Sequence, residues 1–261
     1  MIGSSNARVD AAAKRLFDAA ITRRPIATLT SDWSDMTEAD AYAVQDATAR
    51  IQTEREVGYK LGYTSAAMRA QMKVGTPNYG RLFAHMRVSD DEALLPFDDL
   101  IHPLVEPEFA LVVGRDLTSP PYTAKTISPS VDAVMPAIEI VDTRYVEYDF
   151  LSNDNIADNS SAARFVLGAP RTLAALGDLR SIAVSLWSNG ATLGRGSGAD
   201  VYGDPLLALA WAAQRLSERG AVLRAGDIIM TGGATKAFRV ARGDAFVADF
   251  GALGFAKLFF S

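Results

Sequence analysis

The sequence predicts an α+β fold, an N-terminal helical region capping a large mixed, mostly antiparallel β-roll or barrel. Helical periodicity is concentrated in the first third of the chain and in one later segment. After Gly58 the texture changes to short apolar runs broken by Gly, Pro and Asp, the punctuation of strands and turns. The 261 residues, 49% of them hydrophobic, are enough to bury a sizeable core.

Val9 to Thr22 places Ala12, Leu16, Ala19 and Ala20 on one helical face, and Arg23, Arg24 and Pro25 close it. A second helix is expected from Thr37, where Thr37 and Asp40 approximate a capping box, to about Glu56. Strands are expected at Val57–Tyr63, Pro107–Val113, Ala133–Asp142, Ala163–Leu167 and Ile182–Trp187, then at Ile228–Thr231, Phe246–Asp249 and Gly254–Phe260. Asn189-Gly190 between AVSLW and ATLG predicts a hairpin, because both residues tolerate the positive φ of a type I′ turn. One further helix, Pro205 to Arg219, turns Leu206, Leu209, Ala210, Ala213 and Leu216 inward. These elements divide into a helical cap over 1–75 and a β-rich catalytic region over 76–261, integrated as one unit.

The formal net charge of −5 argues against a nucleic-acid partner, which needs a basic face to displace counterions. The chain has no cysteine, which removes disulfides, thiolate metal ligands and thiol nucleophiles and fits a reducing cytoplasm. Arg8, Asp10, Lys14, Arg15 and Asp18 interrupt the first residues, so they lack the apolar core of a signal peptide. No apolar run reaches the roughly 18 residues that a membrane span requires. A small molecule or ion is the expected partner.

The chemistry starts in VEPEFALVV, Val105 to Val113, an apolar strand with two acids in its first half. Alternate residues of a strand share a face, so Glu106 and Glu108 point the same way. Burying a carboxylate costs several kcal/mol without a counter-charge, and neither Lys nor Arg lies between Leu104 and Val113. Glu139 sits at the centre of a second apolar strand, PAIEIV. Three such carboxylates form an oxygen-only set suited to Mg²⁺ or Mn²⁺, which keep waters and leave positions for a chelating substrate. The alternatives for Glu139 are a solvent-facing side chain or a pair with Arg144. Pro107 removes a backbone donor between the two acids, which predicts an edge strand or a bulge there.

The segments VGYKLGYTS, TPNYG, LIHPLVEPEFALVV, PAIEIVDTRY, IADNSSAARFVLG and IIMTGG, in this order, resemble the 2-keto-4-pentenoate hydratase and 4-oxalocrotonate decarboxylase group of the fumarylacetoacetate hydrolase superfamily. The likeness covers almost the whole chain and implies that superfamily's β-roll. It implies magnesium held by Glu106, Glu108 and Glu139, with Lys60 near the 2-oxo acid end of the substrate. It places Ser161 where the family's D-N-A-S serine binds a carboxylate, with Ser160 in place of alanine. It also implies Arg164 as a holder of a distal carboxylate; pairing with Asp158 or Glu147 is the structural alternative.

The resemblance implies one of two reactions. Hydratases of the group usually carry an aspartate where this chain has Asn78, and an amide is no base at neutral pH. Asp142-Thr143-Arg144-Tyr145, Arg164 and Met230-Thr231-Gly232-Gly233 are similar to the decarboxylase pattern. Decarboxylation of 2-oxo-3-hexenedioate to 2-hydroxypenta-2,4-dienoate, within cytoplasmic meta-cleavage catabolism of aromatics, is therefore the leading expectation. A hydratase acting on a 2-hydroxydienoate is the second. A non-catalytic partner stabilising a hydratase is the third, since the resemblance implies association as a homo-oligomer or with the matching hydratase. Gly194, Gly196 and Gly198 imitate a phosphate loop but precede no helix directly, and are expected to form a flexible loop. His102 precedes Pro103 in a turn and is expected to be structural.

Overall fold

The computed structural model describes residues 2–65, 69, 75–89 and 93–261. Two helices form the N-terminal region, α1 (Ile2–Thr22) and, after the single turn α2 (Leu29–Asp32), α3 (Glu38–Ile51). Thr37 caps α3 as expected: its hydroxyl accepts from Asp40 N at 3.1 Å and Asp40 Oδ2 accepts from Thr37 N at 2.9 Å. The helix stops at Ile51 rather than near Glu56, because Gln52 is extended and Glu56 already opens a strand. On α1, Val9, Ala12, Ala13, Leu16 and Ala19 are buried, whereas Ala20 faces solvent.

Among the described residues twelve strands follow: β1 (Glu56–Gly62), β2 (Asn78–Phe83), β3 (Leu94–Leu95), β4 (Leu104–Val113), β5 (Val131–Val141), β6 (Ala162–Leu167), β7 (Ala183–Ser188), β8 (Ala191–Ser197), β9 (Ile228–Gly233), β10 (Phe238–Arg239), β11 (Ala245–Asp249) and β12 (Phe255–Phe260). The first sheet runs β2-β1-β9-β4-β5-β6, with β10 also on β4; the second runs β3-β12-β11-β7-β8. Among the described strands β1 with β9 and β12 with β3 pair in parallel and the rest antiparallel, so the architecture is the mixed, mostly antiparallel one expected. Residue 75, the expected edge of a helical cap, falls between β1 and β2, which pair through Lys60 with Gly80 and Gly62 with Asn78. Of that cap, residues 1, 66–68 and 70–74 lie outside the described residues.

Strand β4 is central, not an edge. Its odd residues Val105, Phe109 and Leu111 enter the main core, where Phe109 meets Phe250 edge-to-face at 4.9 Å, and its even residues Glu106, Glu108 and Ala110 take the other face. Pro107 is accommodated by a bulge: its carbonyl accepts from Ala234 N on the β9 side, where the register slips between Glu108 and Ala110. The missing donor therefore falls where the ladder is already interrupted.

The Asn189-Gly190 turn forms as expected, with φ of 48° and 83°. The glycine-rich stretch after it is not a loop: Gly194 and Gly196 lie inside β8, and a Cβ on Gly196 would strike the Ala234 carbonyl. Gly80 is constrained in the same way, because a Cβ there would strike the Asn159 carbonyl. Gly80→Ala is expected to cost about 1–3 kcal/mol through overpacking, read as a lower urea midpoint at unchanged slope. Among the described residues no helix is long and apolar enough to cross a membrane.

Candidate active site

The even face of β4 lies against β5 with Glu106 directly opposite Glu139. One carboxylate oxygen each from Glu106, Glu108 and Glu139 falls within 4.8 Å of the others. Glu108 and Glu139 are fully buried and Glu106 half-buried. Gly232 N donates to Glu108 Oε2 at 2.8 Å, made possible by a backbone φ of 93° at Gly232. Glu108 Oε1 and both oxygens of Glu139 have no hydrogen-bond partner. Lys60, buried on β1, brings Nζ to 3.3 Å from Glu139 Oε1, an ion pair without hydrogen-bond geometry.

One ammonium against three carboxylates, two of them fully buried, leaves the cluster short of positive charge. Burial first, and then the charge of Glu139, pushes Glu106 up to about 7 against the opposing pull of Lys60. Burial, followed by Glu139 and Glu106, raises Glu108 well above the usual carboxylate range. Orphaned buried oxygens and raised carboxyls fit a hard divalent cation, which Glu106, Glu108 and Glu139 could hold. Glu139 neither faces solvent nor pairs with Arg144.

A pH dependence follows. Between its ordinary value of 4.5 and about 7, Glu106 binds more proton in the folded than in the unfolded chain. Metal-free protein is therefore expected to lose stability as pH rises through that window, and a divalent ion, which binds the ionised form, to restore it. Melting temperatures in chelator and in Mg²⁺ at pH 5 and pH 8 check this: the gap between the two should be wider at pH 8, and equal gaps would contradict it.

Glu106 opens into a cavity of about 340 Å³ that Lys60, Ser160, Ser161 and Asn155 also line. Its apolar wall is Leu104, Val141, Tyr148 and Phe150, and Thr235 and Lys236 border it. Ser161 thus stands with Lys60 and Glu106. Its backbone is unusual: Asn159, Ser160 and Ser161 have φ of 53°, 53° and 57°. Left-handed backbone costs a residue with a side chain roughly 1–2 kcal/mol, and such strain collects at functional sites. The turn is pinned by Asn159, whose side chain accepts from Arg81 N at 2.6 Å and donates to Arg81 O at 2.9 Å. It is also pinned by Asp158, which is buried and ion-paired with Arg144.

Arg164 is not part of this site. On β6 it pairs with Ile140, one residue off the Glu139–Phe165 row, so its side chain leaves by the other face. It lines a separate cavity of about 190 Å³ with His85, Asp99 and Asp142. It pairs with neither Asp158 nor Glu147; Arg144 takes Asp158. His102 packs on Tyr148, whose hydroxyl donates to the Val141 carbonyl at 3.0 Å and lies 3.3 Å from the His102 carbonyl. Sequence reasoning missed Asn155, Tyr148, Thr235 and Lys236 as cavity residues, because nothing in their local patterns marks them.

Residues 44–258 match the fumarylacetoacetate hydrolase C-terminal family. The chain is 37% identical over 261 residues to a 2-keto-4-pentenoate hydratase of Paraburkholderia phymatum, covering 99% of each. It is 38% identical over 250 residues to a 4-oxalocrotonate decarboxylase of Pseudomonas putida, covering 95% of this chain and 94% of the relative. The fold superposes with a TM-score of 0.93 and 36% identity on 4-oxalocrotonate decarboxylase from Pseudomonas putida G7 complexed with magnesium and adipate, covering 98% of each chain. The chain belongs to the fumarylacetoacetate hydrolase C-terminal family, in the group of 4-oxalocrotonate decarboxylases and 2-keto-4-pentenoate hydratases.

Proposed function

We propose that this protein is a Mg²⁺-dependent decarboxylase of 2-oxo-3-hexenedioate, releasing CO2 and 2-hydroxypenta-2,4-dienoate in a meta-cleavage route for aromatic compounds. The observation that carries the choice of reaction is Asn78. Its side chain is buried and held at both ends, accepting from Ser160 and donating to Asn155, so a neutral amide stands where a hydratase would place its base.

Glu106, Glu108 and Glu139 hold the metal, which when bound supplies a Lewis acid for the carboxylate and 2-oxygen of a 2-oxo acid. Lys60 adds a fixed positive charge beside that oxygen, where negative charge grows as the bond to the leaving carboxylate breaks. Ser161 donates to an anionic oxygen. The wall of Leu104, Val141, Tyr148 and Phe150 keeps water from the reacting chain, and its low polarity suits a carboxylate whose charge is dispersing. Lys236, exposed at the rim, takes the distal positioning role that Arg164 is placed too far round the sheet to fill. It orients without enclosing, which avoids over-stabilising the carboxylate that must leave.

The test is a spectrophotometric assay of metal-stripped protein with 2-oxo-3-hexenedioate, adding Mg²⁺ midway and trapping CO2. Magnesium-dependent CO2 is the expected result. No CO2, with consumption of 2-hydroxypentadienoate instead, would make the protein a hydratase, a name that several of its relatives carry. Failure of both, without Mg²⁺ binding by calorimetry, would leave the non-catalytic partner. Adipate, which the decarboxylase relative holds with magnesium, serves as an unreactive binding probe.

A further inference from the structure

Asn78, Asn155, Ser160 and Ser161 come from three elements, β2, the short helix Ser152–Ala157 and the left-handed turn, and all four are buried. Their side chains form one directional relay. Ser160 Oγ donates to Asn78 Oδ1 at 2.8 Å, Asn78 Nδ2 donates to Asn155 Oδ1 at 2.8 Å, and Asn155 Nδ2 donates to Ser161 Oγ at 3.1 Å. An amide has one donating and one accepting end, so the direction set at any member constrains the next. Turning the Asn155 amide alone would set its N–H₂ against that of Asn78. As the side chains stand, the relay arrives at Ser161 as a donor and occupies an acceptor site of its oxygen. The Ser161 hydroxyl proton is left over, with no acceptor among the described residues, on a side chain that lines the cavity with Lys60 and Glu106. Room for the relay is built into β1: a Cβ on Gly62 would strike both Asn78 Oδ1 and Ser160 Oγ.

We propose that Asn78, Asn155 and Ser160 are positioning residues that present the Ser161 hydroxyl as a hydrogen-bond donor to an anionic oxygen of the bound substrate. This rests on the reading of the cavity as a 2-oxo acid site. Strain at the turn then has a use: three left-handed residues in a row bring Ser160 back onto β2 and leave Ser161 facing the cavity, so both ends of the relay lie on one short segment.

Asn155→Asp tests it at nearly constant volume. The new carboxylate accepts from Asn78 and also from Ser161, drawing the Ser161 proton out of the cavity. Adipate has a carboxylate at each end, so its binding to the Mg²⁺-loaded protein reports on Ser161 whichever end it meets. Calorimetric Kd values are compared for wild type, N155D, S161A and N155D/S161A, with melting temperatures alongside; contacts at the metal and Lys60 keep S161A binding measurable at millimolar adipate. The loss caused by N155D should be at least tenfold larger when Ser161 is present than in S161A, and any direct repulsion by the added charge cancels in that ratio. Ser160→Ala, which removes no charge and keeps the fold should N155D not fold, should show at least a threefold ratio. With substrate, the same variants should raise KM more than they lower kcat. Equal losses with and without Ser161 would overturn the relay while leaving the 2-oxo acid site intact. A wild type that binds Mg²⁺ but not adipate would remove that site and the inference with it.

Discussion

Glu106→Gln is expected to lower Mg²⁺ affinity by more than about 100-fold, beyond the loss typical of an outer-shell partner, and to abolish turnover with it. Glutamine keeps the shape and deletes the charge, and among the described residues three carboxylates are available to offset a divalent ion whose affinity follows ligand charge. The same substitution should stabilise the metal-free protein at pH 8. It removes one of three mutually repelling acids, the one whose carboxyl is held up to about 7 by burial and by Glu139. Activity and stability thus move in opposite directions, which separates a functional cluster from a structural one. Calorimetric Mg²⁺ titration, turnover and melting in chelator read the three effects. Unaltered turnover in Glu106→Gln would sink the assignment of the metal site.

Much of the frame was legible because its signals are local. Strands β4, β5 and β9 are central and read as continuous apolar runs, the Thr37 cap is a short motif, and Asn189-Gly190 admits few other conformations. What failed depends on pairing. Strand β2, Asn78–Phe83, is absent from the expected strands because nearly every residue of it is buried and it shows no alternation. The end of α3 carries no Gly or Pro, and the charged run to Glu56 continues a plausible helix until β1 claims its last residues. Pro107 correctly announces a broken ladder but not which neighbour absorbs the break.

The site divides along the same line. Glu106, Glu108 and Glu139 were readable as acids in buried strands, and the structure adds the register that sets Glu106 opposite Glu139. Arg164 shows the limit. Its assignment came from the resemblance alone, and a single residue of register separates it from the Phe165 position that shares a row with Glu139. Asn155 has no motif at all; only the packing of its short helix against α3, where buried Gln45 bridges the Tyr79 and Ile156 carbonyls, brings it to the cavity.

Asp158→Asn is expected to cost about 3–5 kcal/mol, because it strands a buried guanidinium. Asp158 is ion-paired to Arg144, accepts from Thr143 Oγ1 at 2.7 Å and from Arg144 N at 3.1 Å, and adjoins the left-handed turn. Arg144 in turn donates through Nη1 to the carbonyls of Asp142 at 2.7 Å and Ala162 at 3.0 Å, and through Nη2 to that of Asp158. These carbonyls bracket the turn on both sides. Replacing both members by leucine, which rescues many buried pairs, should fail here because it takes a donor from three main-chain acceptors at once and leaves the Asp158 carbonyl with Ser161 N alone. Turnover should fall further than the folded fraction explains, since the turn that carries Ser161 loses the pair that holds its left-handed run. Urea unfolding of the two variants, with adipate binding measured on the folded fraction, separates the two effects. An Asp158→Asn protein that binds adipate at wild-type strength would mean that Asn159 and Ser160 alone hold the turn.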